Sequence, residues 1–485
     1  MTQANPHHER RWAILAILGI AQLMVVLDAT IVNIALPSAQ KALHFTNDNR
    51  QWIVTAYSLA FGSLLLLGGK ISDLFGRKWT FIGGLAGFAL ASAVGGAAQS
   101  FGMLAVARAF QGAFGALLAP AALSLLTTTF TETTERNKAF GIFGAIAGSG
   151  ASIGLLLGGV LTQYLNWRFS MYVNSIFAVF AISGALALLH NQPAADHARL
   201  DIPGTVTVSL GLFALVFGFN HAQTTSWSDA LTLATLAIGV ALLGLFVAIE
   251  RRIAHPLMPM RVLADRNRAA SFLAMLLSAA AMFGVFLFLT YYMQQTRGYS
   301  PVTTGLAFLP MTAVIMVTAV IATTRLRARF GARALVTTGM ALGAAGMVLL
   351  TGIGLTSAYL TTILPALLVM GLGLGLVFST AMNSATLGVA PSDAGVASAT
   401  VNASQQVGGS LGTALLSTLA AGAATSFLAG SHPTTALVAQ AAVHGYTVAF
   451  AVSAGIFAFG AIVTGLLYER GVSAAETVGE PVLAA

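Results

Sequence analysis

The sequence predicts an all-α polytopic membrane protein with about fourteen spanning helices, each built from about 20 mostly apolar residues. Three observations carry that expectation. Of 485 residues, 57% are hydrophobic and only 8% charged, whereas a soluble globular domain carries about 25% charged residues. Apolar runs of spanning length follow one another along almost the whole chain. The basic residues are concentrated in alternate connections between those runs. So little charge cannot keep a surface wetted, and lipid has to be the solvent for much of the molecule. The 51 glycines agree, because small residues let membrane helices approach closely.

Taken in order, the runs lie near 12–36, 51–70, 79–98, 101–127, 138–164 and 169–189, then near 203–220 and 230–249. Six more lie near 269–294, 301–324, 334–353, 359–386, 398–425 and 444–468. The polar segment Met1 to Arg11 precedes a run without a small-residue cleavage site, so that run reads as a retained first span. The uncharged stretch 334–392 is too long for one crossing, and Gly352 to Ser357 is its natural turn. An even count of spans puts both termini on one side. With a cytoplasmic N-terminus, 18 of the 23 Lys and Arg fall in cytoplasmic segments. Only Lys41, Arg50, Arg168 and Arg297 fall in outer loops, and Arg108 lies inside span four. That bias follows the positive-inside rule and predicts a plasma (bacterial inner) membrane protein with both termini in the cytoplasm.

Several function classes are excluded by the same residues. The net charge of +8 is scattered over short loops with no basic face or aromatic platform, which argues against nucleic-acid binding. There is no cysteine, so thiolate metal sites and cysteine nucleophiles are excluded. The nine histidines show no metal-ligand spacing, and no metal is expected. Gly371, Gly373 and Gly375 alternate inside an apolar span with no strand before them, and no Gly-x4-Gly-Lys-Ser/Thr loop occurs, so nothing here binds nucleotide. Non-spanning pieces are short, the longest near 190–202, 250–268 and 426–443, which leaves little room for an enzyme. No cofactor is expected beyond a proton as coupling ion.

The chain also repeats itself. Gly69 to Lys78, after span two, aligns with Arg325 to Arg333, after span ten, matching Phe75 to Phe330, Gly76 to Gly331 and Lys78 to Arg333. Transporters are commonly built from such repeated halves. The repeat divides the chain into a first six-helix bundle over 1–190, two inserted helices over 191–260, and a second six-helix bundle over 261–485.

Two charges lie well inside apolar runs: Asp28, between Leu27 and Ala29, and Arg108, after Ala107. Such groups are expensive in lipid and face a cavity or each other. Asp28 lies about 24 Å along its helix from Trp12, and Arg108 about 10 Å from the outer end of span four, at 1.5 Å rise per residue. Both therefore sit in the outer half, where an ion pair is possible. Burial disfavours a charged carboxylate and a neighbouring guanidinium favours it, so a conformational change that alters either can load or release a proton at Asp28. A permanent salt bridge fixing span one to span four is the structural alternative.

At this point the chain resembles the fourteen-helix drug/proton antiporter branch of the major facilitator superfamily, nearly end to end. Leu27-Asp28-Ala29-Thr30-Ile31-Val32-Asn33-Ile34-Ala35-Leu36-Pro37 resembles its first-helix signature, Gly69 to Lys78 the loop after its second helix, and Arg108-Ala109-Phe110-Gln111-Gly112 its fourth-helix motif. Gly298 to Pro310 and Asn402 to Gly412 resemble its tenth- and thirteenth-span patterns. The resemblance implies the major facilitator fold and proton-coupled efflux of amphipathic drugs by alternating access. It gives Asp28 and Arg108 the proton-coupling role and places Asp73, Gly76 and Arg77 in an inner gate. Gln111 and Gly112 belong to the fourth-helix motif, and Gly154, Gly158 and Gly159 form a packing face on span five. Two positions depart from the pattern: Leu155 stands where the antiporters carry proline, and Leu74 where a basic residue is common.

Gln22, Asn33, Tyr57, Tyr291, Tyr292, Gln294 and Asn383 are polar residues placed to line a substrate cavity. The expected partners are a small amphipathic solute, protons and the bilayer, with the protein acting as a monomer. Export of a lipid or an endogenous secondary metabolite is the alternative cargo. A proton-pumping respiratory subunit is a remote alternative, since it needs a chain of buried Lys, Glu and His that is missing here.

Overall fold

The computed structural model describes residues 10–45, 47–190, 201–253, 256–390, 393–429, 432 and 434–469, and their regular structure is helical. The helices are α1 (Arg11–Leu43), α2 (Asn47–Phe75), α3 (Arg77–Gly96), α4 (Phe101–Thr129), α5 (Thr133–Tyr164), α6 (Phe169–Leu188), α7 (Ile202–Thr224) and α8 (Ala230–Glu250). After the short α9 (Met260–Ala264) come α10 (Arg266–Gly284), α11 (Pro301–Ile321), α12 (Arg327–Leu350), α13 (Leu364–Thr386), α14 (Ala394–Leu428) and α15 (Thr435–Leu467). Their starts are written in side chains that accept from free first-turn N–H groups. Ser100 accepts from Met103, Asp201 from Gly204, Asp229 from Leu231 and Thr232, Asp265 from Arg268, and Ser300 from Thr303.

Among the described residues, twelve helices are long and apolar enough to cross a membrane, one of them the 49-residue stretch Val302–Leu350. Twelve is fewer than the fourteen expected. Apolar side chains such as Leu233, Ile238, Val240 and Leu245 on α8 are exposed, as lipid contact requires. Two connections expected as loops are instead single breaks between helices. Asp73 lies in the last turn of α2, and Gly76 alone, at φ 90°, turns the chain into α3. Gly331, at φ 72°, does the same within α12. Positive φ is open to glycine at no steric cost, so the two glycines aligned by the sequence repeat perform the same act.

Packing repeats as well. The pairings α2–α4, α3–α4, α1–α5, α3–α6 and α1–α6 have counterparts in α11–α13, α12–α13, α10–α14, α12–α15 and α10–α15. The two sets meet along α2–α14 and α5–α11, contacts that exchange under the same correspondence. Helices α7 and α8 pair with each other, and α7 leans on α2 and α14. The α2–α4 crossing depends on Gly112, where a Cβ would run into the Tyr57 carbonyl and the Phe61 amide. Overpacking costs about 1–3 kcal/mol, so Gly112→Val is expected to lower the thermal unfolding temperature in detergent; an unchanged temperature would refute that crossing.

Candidate functional site

The most buried charges among the described residues define the site. Asp28 on α1 is 0% exposed and Arg108 on α4 1%. Arg108 and Gln111 stand three residues apart and so share a helix face. Arg108 Nη1 donates to Asp28 Oδ2 at 2.5 Å and to Gln111 Oε1 at 2.9 Å, while its Nε donates to the Ile53 carbonyl at 3.3 Å. Asp28 Oδ1 accepts from Gln111 Nε2 at 3.1 Å and from Asn174 Nδ2, on α6, at 2.7 Å. Ser92 Oγ, on α3, bridges the same two amides. The Tyr57 ring of α2 lies against the guanidinium, 4.3 Å from centroid to Cζ, a cation–π contact that desolvation strengthens.

This arrangement has a chemical consequence. Three N–H donors converge on one carboxylate, and a carboxylate can only accept. The three donors leave about one of its roughly four acceptor sites open, and a proton can occupy that site. What protonation removes is the negative charge, and with it the charge assistance of the Arg108, Gln111 and Asn174 contacts, so the cradle weakens. Asn174→Ala removes one hydrogen bond to a charged group, a class worth about 1.5–3 kcal/mol. Its expected result is a matching loss of stability by chemical denaturation in micelles; no loss would mean Asn174 does not support the carboxylate.

A second group lies at the end of the bundle where Asp73, Arg77 and Arg136 collect. Arg77 Nη2 approaches Asp73 Oδ1 at 3.7 Å. Asp73 sits against Gly395 in the first turn of α14, where a Cβ would lie 2.6 Å from its Oδ2. That close approach ties α2 to α14. At the same end, Arg136 of α5 donates to Asn383 Oδ1 at 3.2 Å, Thr386 Oγ1 at 2.9 Å and the Thr127 carbonyl at 3.3 Å. Asn383 Nδ2 donates in turn to Asn137 Oδ1 at 2.7 Å. This clamp joins α5 to α13. Losing about 1.5 kcal/mol of charged hydrogen bonding corresponds to roughly tenfold in an opening equilibrium. With no natural cysteine, a single cysteine at Ser384 is expected to be alkylated about that much faster in Arg136→Ala; equal rates would refute the clamp.

The remaining expected residues are spread more widely. Gly154 and Gly158 face Thr30 and Ile31 of α1 closely enough to exclude a Cβ, which is packing, and Gly159 is buried beside them. Gln22 is buried on α1. The side chain of Asn33 lies outside the described residues. Tyr292 is buried and donates to the Gly354 carbonyl at 2.7 Å, Tyr291 is exposed, and Gln294 is half-buried. These three sit where π turns at Val285–Leu289 and Tyr292–Thr296 widen the continuation of α10. Sequence reasoning missed Ser92, Asn174 and Arg136. Asn174 interrupts an apolar run and was a usable signal. Ser92 was not, because serine is common in membrane helices.

Fold and site together define a helical membrane transporter with a buried carboxylate–guanidinium pair in its first six helices. The chain belongs to the Major Facilitator Superfamily, whose profile matches residues 18–413. It is a transporter and not an enzyme, related to drug and antibiotic efflux proteins of the fourteen-span type. It is 47% identical to the "Puromycin resistance protein pur8" of Streptomyces alboniger over 97% of this chain and 94% of that one. It is 39% identical to the "Cephamycin export protein CmcT" of Amycolatopsis lactamdurans over 82% and 83% of the two chains. The "Tetracenomycin C resistance and export protein" of Streptomyces glaucescens is 36% identical over 87% and 78%. Among solved structures, the human organic anion transporter MFSD10 (TETRAN) superposes with TM-score 0.61 at 15% identity, over 94% and 99% of the chains, a likeness of fold alone.

Proposed function

We propose that this protein exports amphipathic antibiotics in exchange for protons, with Asp28 as the proton carrier and Arg108 as the group that holds its empty carboxylate. The observation that carries this reading is the three-donor cradle around Asp28, which weakens when a proton cancels the charge it surrounds. Its relatives' names supply the cargo class. The chain crosses the membrane fourteen times: Gly331 divides the stretch Val302–Leu350 into two crossings, and α5, at 32 residues, makes another. Residues 1–190 and 261–485 form the two rocking bundles, residues 191–260 the inserted pair, and both termini lie in the cytoplasm. The Asp73 and Arg136 contacts then close the cytoplasmic end, and substrate passes between the bundles when they part.

The test uses inverted vesicles with an acid interior, to which puromycin, a cephamycin and tetracenomycin C are added singly. Antibiotic-evoked loss of the pH gradient supports antiport, and its absence for all of them, with the protein inserted, would refute it. A second reading has one endogenous metabolite as cargo, favoured because two of the relatives carry the name of a single exported antibiotic. A response to one compound alone selects it.

A further inference from the structure

The inserted helices hold two buried carboxyl groups that the mechanism above does not use. Asp201, just before α7, is 3% exposed, and Glu250, the last residue of α8, is 4%. Asp201 Oδ1 accepts from the Gly204 amide at 2.9 Å, but its Oδ2 is buried without a hydrogen-bond partner. A Cβ built on Gly204 would meet that oxygen and Glu250 Oε1 together, so the two oxygens converge on one spot. Glu250 is otherwise committed: Oε1 accepts from the Leu257 amide at 3.3 Å and Oε2 from the Met258 amide at 2.9 Å.

No described cation offsets the pair, since neither carboxyl forms an ion pair. From α2, Lys70 Nζ donates to the Pro256 carbonyl at 3.4 Å. Arg261 is bound to Asp393 at 2.8 Å, while Asp73 is paired with Arg77. Arg251 and Arg252 are exposed. Two ionised carboxylates cannot share a dry site, and one of them takes a proton.

We propose that Asp201 and Glu250 form a second proton-binding site, with one proton held between Asp201 Oδ2 and Glu250 Oε1. The site also has a mechanical output. Leu257 and Met258, held by Glu250, pack with Leu66 of α2, Val208 and Leu212 of α7, and Val396 of α14. That places them on the α2–α14 seam, beside the close approach of Gly69 to Gly395. Removing the shared proton sets two negative charges against each other and loosens the connection that covers the seam. The inserted helices thereby sense protons at the gate end, a role that stands whether or not Asp28 carries the transported proton.

Infrared difference spectroscopy of the purified, substrate-free protein tests this. The expected result at neutral pH is a protonated-carboxyl band that persists in Asp28→Asn and is lost in Glu250→Gln. Asp201→Asn, which keeps the helix-capping oxygen, loses the same band and serves if Glu250→Gln does not fold. Raising the pH is expected to remove the band and to speed amide exchange at Leu257 and Met258 together, beyond the base-catalysed rise that the same amides show in Glu250→Gln. A band unchanged in both variants would overturn the proposal. So would sodium, potassium or calcium ions stabilising the wild type but not Glu250→Gln, because a metal cation would then occupy the pair.

Discussion

Asp28→Asn is expected to abolish concentrative efflux while leaving a folded protein that still binds antibiotic. One charge crossing 100 mV releases about 2.3 kcal/mol, enough to concentrate a neutral solute roughly 50-fold at 1.36 kcal/mol per decade. Without a titratable group at position 28, that gradient is expected to fall to equilibrium. Asparagine preserves much of the cradle, since its carbonyl oxygen can accept from Gln111 and Asn174. The variant leaves the Arg108 charge uncompensated, although Gln111 and the Ile53 carbonyl still accept from the guanidinium. The pairing of Asp28→Asn with Arg108→Gln removes both charges and separates lost coupling from lost stability. Efflux against a gradient in either variant would place the carrier elsewhere.

The second large effect is on stability. Arg108→Ala leaves a buried carboxylate with two amide donors and no counter-charge, and breaking a buried pair from one side costs about 3–5 kcal/mol. The expected outcome is a severe loss of folded protein in detergent. Adding Asp28→Asn to Arg108→Ala removes the stranded charge and is expected to restore part of the loss. Neighbouring sites that share an interaction are non-additive in this way. Strict additivity would mean that the two side chains do not interact as the 2.5 Å contact implies.

The charged half of the site was legible because lipid makes charge conspicuous. Asp28 and Arg108 stood out in apolar runs, and their estimated depths agreed. The neutral half was harder to see. Ser92 and Asn174 complete the cradle, but a hydroxyl or amide in a membrane helix is usually packing glue, and pattern alone does not say which ones meet. Asn383 was read as cavity lining because it interrupts an apolar helix, whereas its partners Arg136 and Asn137 lie 247 and 246 residues away, a distance that no local pattern bridges. The Gly76 and Gly331 alignment foretold a shared structural act but not its form. Glycine marks a break equally well whether a loop or a single left-handed residue follows. The Asp201–Glu250 pair was passed over because both residues border polar connections, where a carboxylate is ordinarily solvated.

The most direct test of the central claim is proton release on antibiotic binding to the purified protein in weakly buffered micelles, using a compound that discharges the vesicle gradient. Release by the wild type and none by Asp28→Asn, with binding retained in both, is the result this account predicts. Equal release from both proteins, or binding to the wild type without any release, would contradict it.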